Sequence, residues 1–135
     1  MSGTREPWWR RWFGSRSERA AERYLVGRGM RILARNVAYR DGEIDIVAED
    51  AGAVVFVEVR STEGDDFEKI SQSVNAAKQR KLTQAALAWL TEAGLLEHSA
   101  RFDVVLISWP PGVREPRIEH LPHAFEATGR WQMWS

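Results

Sequence analysis

The sequence contains no cysteine among its 135 residues, which excludes a disulfide framework, a cysteine-based zinc site and a thiol nucleophile. It also lacks any apolar run near the roughly 18–20 residues that a transmembrane helix needs. Residues 1–13 do not contain the apolar core of a secretory signal. These absences predict a soluble, cytoplasmic protein that has no membrane partner.

Neither sign of charge is in excess overall, since 19 basic side chains balance 19 acidic ones. The balance hides an asymmetry, because residues 1–40 carry a formal charge of +7 and the remainder carries −7. Such a division predicts a basic surface that binds a polyanion, beside an acidic region able to hold a cation. The alternative is that the two parts neutralise each other in the folded protein.

The length predicts one compact domain, which we place at residues 15–127, between an N-terminal arm (1–14) and a C-terminal tail (128–135). The arm alternates arginines with tryptophans, as single-strand binders do when they stack on bases and pair with phosphates. Arg10 and Arg11 in the arm, and Arg16 just beyond it, are therefore candidate nucleic-acid contacts. The competing and commoner case is an arm that packs its tryptophans on the domain or frays.

Hydrophobic periodicity predicts an α/β domain with the element order α-β-β-β-α-β and a mixed sheet flanked by helices. The first helix begins after Ser15, which has capping-box spacing to Glu18. The second helix, 76–93, has Asn75 as its N-cap and Gly94 as its C-terminal glycine. The strands are predicted at 31–39, 43–48, 53–60 and 101–108, with a short edge strand at 118–121.

Two acidic residues occupy the central hairpin. If Ala51 and Gly52 form a two-residue turn, Asp45 lies opposite Glu58, where the Cβ atoms of paired residues are about 4.5–5.5 Å apart. Like charges so placed destabilise a sheet, and a hard divalent cation bound by both carboxylates would offset the repulsion. A register slip of one residue would instead put the two acids on opposite faces.

Arg60 shares the face of Glu58 because side chains two apart on a strand point the same way. A metal, two carboxylates and a cation form a site suited to phosphodiester hydrolysis, since the metal activates water and the cation stabilises developing charge. The alternative is an outward polar face in which Glu58 pairs with Arg60 or another arginine. On spacing alone, the two interpretations are about equally supported.

Five stretches, in this order, resemble the YraN-like family of predicted bacterial endonucleases: GEIDIVAED (42–50), VVFVEVRS (54–61), VNAAKQRKLTQAALAWL (74–90), RFDVVLI (101–107) and RIEHLPHAFEA (117–127). That family is similar to the restriction-endonuclease superfamily with the PD-(D/E)XK signature, whose core has the same α-β-β-β-α-β order. The resemblance covers about residues 15–127. It implies a restriction-endonuclease-like fold and a nuclease activity.

The resemblance implies that Asp45 and Glu58 bind Mg²⁺ or Mn²⁺, with the Val59 carbonyl as a third ligand, and that Glu18 assists the metal or its waters. The chain departs from the family pattern at three positions, with Arg60, Ser17 and Glu68 standing where lysine, glycine and glycine are expected. Arginine stays protonated, so Arg60 can hold a phosphate but cannot act as a general base. Lys78, on the core-facing stripe of the second helix, is the alternative candidate to reach the site or to contact phosphate.

Other candidates are weaker. Two histidines at positions 120 and 123 lack a third ligand for zinc, and Asp103 is expected to pair with Arg101 or another arginine in a structural role. Neither a glycine-rich phosphate loop nor a Ser/His/Asp pattern occurs. The sequence therefore predicts a metal-dependent nuclease acting on DNA, including branched or single-stranded forms. Its rivals are a non-catalytic nucleic-acid-binding module, inactive because of Arg60, and an adaptor whose tryptophans contact a protein partner.

Overall fold

A computed structural model describes residues 15–127. The helices are α1 (Arg16–Gly27), α2 (Phe67–Ser71) and α3 (Ala76–Ala93), and the strands are β1 (Arg31–Tyr39), β2 (Gly42–Asp50), β3 (Ala53–Thr62), β4 (Ala100–Ser108) and β5 (Arg117–Phe125). The N-terminal arm and the C-terminal tail lie outside the described residues, so the predictions for Arg10, Arg11 and the tryptophans of the arm concern residues outside this range.

The strands form one mixed sheet in the order β1-β2-β3-β4-β5. All neighbours are antiparallel except β3 and β4, which are parallel. Parallel neighbours need a long crossover connection, and α2 and α3 lie within it. The predicted α/β class and the predicted order of the main elements are thus confirmed.

Helices cover both faces of the sheet. On one face α1 packs Ala21 and Leu25 against Ile46 and Val57, and on the other α3 packs Leu82, Ala86 and Leu90 in a cluster that includes Phe56. Strands buried on both faces are expected to be continuously apolar, as β3 is from Val54 to Val57. A carboxylate in these central strands is therefore an exception that requires partners.

Helix ends follow the predicted capping chemistry. Ser15 and Glu18 form the complete capping box of α1, and the Asn75 side chain accepts from the Lys78 N–H at the start of α3. Gly94 ends α3 with a φ of 73°, a left-handed conformation that glycine adopts without steric cost. These caps fix where α3 begins, and thereby the position of Lys78.

The structure corrects two predictions at the periphery. The last strand runs over Arg117–Phe125 and not only over 118–121, because Pro122 is tolerated at a sheet edge, where no ladder hydrogen bond is required of it. The predicted order α-β-β-β-α-β has a single helix between β3 and β4, yet this connection also contains α2, whose N-cap Asp66 accepts from the Lys69 N–H. No helix within residues 15–127 is long and apolar enough to cross a membrane.

Candidate active site

The β2–β3 hairpin has the register on which the acidic pair depends. Ala51 and Gly52 have φ values of 51° and 90°, the two positive values that a two-residue type I′ turn requires. Pairing runs from Asp50↔Ala53 to Ile46↔Val57. Asp45 and Glu58 follow as the next opposed positions, so the predicted register is confirmed.

The regular β2–β3 backbone pairing ends at Ile46 and Val57. Beyond it, the Asp45 side chain accepts a hydrogen bond from the backbone of β3. The Val59 N–H donates to Asp45 Oδ2 at 2.8 Å, and the Asp45 and Glu58 side chains are hydrogen-bonded to each other. A strand residue directs its N–H and C=O toward the same neighbouring strand, so the Val59 carbonyl would also face β2. The predicted pair and Val59 thus meet where β2 and β3 separate.

The two carboxylates are costly to ionise together. Glu58 is only 5% exposed, and burial is the main reason why its pKa is raised, against the opposing effects of Lys78 and Arg60. Burial, and then the negative charge of Glu58, raise the pKa of Asp45 to about 7. At neutral pH the pair therefore retains a proton for much of the time, and a bound cation would favour its full ionisation.

Two cationic side chains contact the pair. Arg60 Nη2 lies 3.1 Å from Glu58 Oε2, and Lys78 Nζ lies 3.6 Å from the same oxygen. Arg60 Nε is buried without a hydrogen-bond partner in the described part of the chain. Arg60 pairs with Glu58 as the alternative interpretation expected, and it also retains an unsatisfied donor at the site.

A close approach between backbones brings Lys78 to the pair. A Cβ atom added to Gly42, the first residue of β2, would lie 2.7 Å from the Lys81 carbonyl oxygen of α3. Real Cβ atoms do not approach backbone so closely, so only glycine allows α3 to lie against the start of β2. The glycine of the GEID stretch therefore positions α3, with Lys78 in its first turn, over Asp45.

Glu18 reaches the pair from the other face of the sheet. Its Oε1 accepts from the Ser15 N–H at 3.3 Å within the capping box, and its carboxylate also interacts with Asp45. Burial and the charge of Asp45 raise the pKa of Glu18, whereas the hydrogen bonds from Ser15 and Asn36 oppose the rise. The structure therefore brings the four predicted side chains of Glu18, Asp45, Glu58 and Arg60 together, with Lys78.

Sequence reasoning does not identify Asn36. Its side chain is hydrogen-bonded to Glu18, and its φ is 50° within β1, a left-handed conformation that asparagine tolerates better than most residues. The one available signal is an asparagine in the middle of a strand, since asparagine is depleted from strands.

The departure at Ser17 has a structural explanation. The Ser17 Oγ accepts from Trp109 Nε1 at 2.8 Å, and the Arg16 guanidinium stacks over the Trp109 ring, 3.7 Å from its centroid. These contacts fasten the start of α1 to the end of β4. Arg16 is thus held at the domain surface with an exposed side chain, where phosphate contact stays a prediction.

A cleft of about 550 Å³ opens beside the pair. It lies between the β1–β2 turn and α3, and Asp45 is one of its lining residues. Lys78 lines it together with two exposed cations, Arg40 and Lys81. The remaining lining residues are Tyr39, Asp41, Gly42 and Glu43.

The donor set suits a hard divalent cation held by few protein ligands. Within residues 15–127, no group of three or more His, Asp or Glu side chains is arranged to hold a metal, so a cation at the pair would have only two carboxylate ligands, Asp45 and Glu58. Mg²⁺ is usually bound by one or two carboxylates and completes its shell with water and phosphate oxygens. The pair therefore fits Mg²⁺ or Mn²⁺.

A second polar cluster surrounds Asp103 and has a structural role. Asp103 accepts from Arg101 Nε at 3.0 Å and from the His123 N–H at 3.1 Å, and it lies 2.7 Å from His120 Nε2. Asp103 is fully buried, and burial opposes its ionisation, yet the bonds from His120, Arg101 and His123 hold its pKa below the usual range. The cluster joins β4 to β5.

The fold and the site define an α/β domain with a five-stranded mixed sheet flanked by helices, in which an acidic pair lies where two central strands separate. This architecture is consistent with the restriction-endonuclease-like core that the resemblance implies.

The family model described as "Uncharacterised protein family UPF0102" matches residues 17–107. The chain belongs to this family, which is the YraN family. A UPF0102 protein of Geobacter sulfurreducens is 45% identical over 114 residues, covering 84% of this chain and 88% of that protein. UPF0102 proteins of Geobacter metallireducens and Anaeromyxobacter dehalogenans are 42% and 41% identical, over 84% and 90% of this chain and 91% and 89% of theirs.

Proposed function

We propose that this protein is a metal-dependent nuclease that hydrolyses phosphodiester bonds of DNA, including branched or single-stranded DNA. The observation that carries the proposal is the pair of opposed carboxylates, the buried Glu58 and the half-buried Asp45, at the point where β2 and β3 separate. Such a pair costs folding free energy, because both charges lose solvation and repel each other. A cost of this kind is typical of functional sites.

Asp45 and Glu58 would hold Mg²⁺ or Mn²⁺, with the Val59 carbonyl as a further ligand. When bound, the cation would lower the pKa of a water and polarise a phosphoryl oxygen. Glu18 would add negative charge beside the pair and orient water. Each of these residues lies on a helix or strand, which holds it more precisely than a loop would.

Arg60 and Lys78 have different tasks at the phosphate. Arg60 carries a permanent charge, and its partly exposed side chain would place that charge beside a phosphate oxygen at the pair. Lys78 contacts the same Glu58 oxygen from a different element, and its flexible ammonium group would contact phosphate oxygens as a point charge, unlike the planar guanidinium of Arg60. Lys78 also lines the cleft, where the nucleic-acid strand would enter.

A second candidate function is a non-catalytic nucleic-acid-binding module. The observation in its favour is that Glu58 already has two cationic partners, Arg60 and Lys78, which offset its charge without a metal. On this alternative, Arg10, Arg11, Arg16 and Lys78 bind the DNA backbone and no bond is cleaved.

A cleavage assay distinguishes the two functions. Wild type is incubated with single-stranded, duplex and four-way-junction DNA in Mg²⁺, in Mn²⁺ and in EDTA, beside Asp45→Asn. Glu49→Gln is the matched control, since Glu49 lies on the same strand but pairs with Arg31 away from the site. We expect metal-dependent cleavage by wild type and the control, and none by Asp45→Asn. DNA binding without cleavage of any substrate would establish the binding module instead.

A further inference from the structure

Asn36 lies beside Asp45 across the β1–β2 pair. The ladder pairs Arg35 with Ile46 and Val37 with Ile44, and it omits the position between them. That position opposes Asn36 to Asp45, just as the β2–β3 register opposes Asp45 to Glu58. Asn36, Asp45 and Glu58 therefore occupy one row across three adjacent strands.

The backbone at Asn36 departs from the strand conformation. Its φ of 50° is costly for a residue with a side chain, and such conformations persist where the surrounding structure determines them. The consequence is visible in its contacts. The Asn36 side chain is hydrogen-bonded to Glu18, and Asn36, Glu18 and Asp45 line the same small cavity.

Glu18 needs such a partner. Its carboxylate lies beside that of Asp45, and the two repel each other when ionised. The capping bond from the Ser15 N–H holds Glu18 by only one oxygen, at 3.3 Å. Glutamate side chains have large rotamer freedom, so without a second donor Glu18 would turn away from Asp45 toward solvent.

We propose that Asn36 is a positioning residue of the site, whose side-chain amide holds the Glu18 carboxylate against Asp45. This inference rests on the proposed function and names a residue that determines how tightly the cation is bound. Glu18 acts there as nearby negative charge and not as a ligand, in keeping with the two carboxylate donors identified above. Residues that orient a metal site from outside its ligand set typically change metal affinity by about 10- to 100-fold when replaced.

The test is Asn36→Gly, because glycine adopts the same φ without cost and removes only the amide. Ala51→Gly is the matched control, since Ala51 has a φ of 51° in the exposed hairpin turn. Mn²⁺ alone is titrated against each purified protein and followed by electron paramagnetic resonance. We expect the Asn36→Gly protein to bind Mn²⁺ about 10-fold more weakly, and the Ala51→Gly protein to bind as wild type does.

Glu18→Ala completes a double-mutant cycle. If Asn36 acts through Glu18, the double variant binds Mn²⁺ no more weakly than Glu18→Ala alone. Wild-type affinity in Asn36→Gly, or full addition of the two losses, would overturn the inference.

Absence of Mn²⁺ binding by wild type would instead overturn the proposed function. The same cycle, measured on thermal unfolding midpoints without metal, then decides the role of Asn36. If Asn36→Gly shifts the unfolding midpoint by different amounts in the wild-type and Glu18→Ala backgrounds, Asn36 acts through Glu18. Equal shifts in the two backgrounds contradict this role.

Discussion

Replacing Asp45 by asparagine should make the metal-free protein more stable at alkaline pH. The pKa of Asp45 is raised from 3.8 to about 7, first by burial and then by Glu58. Between these values the folded state keeps a proton that the unfolded chain has lost, so stability falls as the pH rises through this window. Asparagine cannot ionise and avoids the loss, while its side-chain oxygen still accepts from the Val59 N–H.

The raised pKa sets the magnitude. The rise in the pKa of Asp45 from 3.8 to about 7 lowers the free energy of unfolding by about 4 kcal/mol above pH 7, because each pH unit of difference corresponds to ~1.36 kcal/mol. The asparagine amide must find a partner of its own, so we expect Asp45→Asn to raise the free energy of unfolding by about 1–3 kcal/mol at pH 8. Below pH 5 the gain should be much smaller, because Asp45 is neutral in the folded wild type.

The same substitution at Asp103 is the control and should act in the opposite direction. Burial opposes ionisation of Asp103, but His120, Arg101 and the His123 N–H keep its pKa lowered. A carboxyl group with a lowered pKa stabilises the fold above its unfolded pKa, and this contribution is lost as the pH falls through the folded pKa. Asp103→Asn should therefore lose about 3 kcal/mol at pH 8, as expected when one partner of a buried ion pair is removed.

Urea unfolding followed by circular dichroism, in EDTA at pH 5 and pH 8, measures both effects. Asp45→Asn should unfold at higher urea than wild type at pH 8, and Asp103→Asn at lower urea. A destabilised Asp45→Asn protein at pH 8, or a gain that does not change with pH, would refute the view that the acidic pair is costly to the fold.

Three other outcomes are expected. Gly42→Ala should destabilise the protein by about 1–3 kcal/mol in thermal unfolding, because the added Cβ would lie 2.7 Å from the Lys81 carbonyl oxygen; an unchanged melting temperature would contradict this. The Arg60→Lys protein should cleave DNA faster than wild type, and only with Mg²⁺ or Mn²⁺, because lysine can transfer a proton and general acid–base catalysis contributes about 10²–10⁴-fold. An equal or slower rate would show that binding of phosphate by the guanidinium contributes more than proton transfer. Replacing Arg10, Arg11 and Arg16 together should weaken DNA affinity and flatten its dependence on salt concentration in a filter-binding assay. An unchanged salt slope would place the DNA-binding surface elsewhere.

Much of the fold is predictable because its signals are local. The Ala51–Gly52 turn fixes the hairpin register, and Asn75 and Gly94 fix the ends of α3, which the structure has at the predicted residues. The sequence predicts too short a last strand, because Pro122 interrupts the alternating pattern although an edge strand can continue through a proline. Short helices such as α2 lack the length for a periodic signal.

The acidic pair is predictable by counting along the hairpin, whereas its surroundings are not. Asn36 reaches Glu18 only because its backbone leaves the strand conformation, which no periodicity indicates. The contact of Lys78 with Glu58 depends on how closely α3 approaches Gly42. Contacts of this kind are set by packing between elements that are distant in the sequence.

The most direct test of the metal site is a crystal of this protein soaked in Mn²⁺ and measured at a wavelength where manganese scatters anomalously. We predict a single strong anomalous peak between the carboxylates of Asp45 and Glu58, and no such peak in Asp45→Asn crystals treated identically. Anomalous density elsewhere, or none at the pair while Glu58 stays bound to Arg60 and Lys78, would contradict a metal-dependent nuclease at this site.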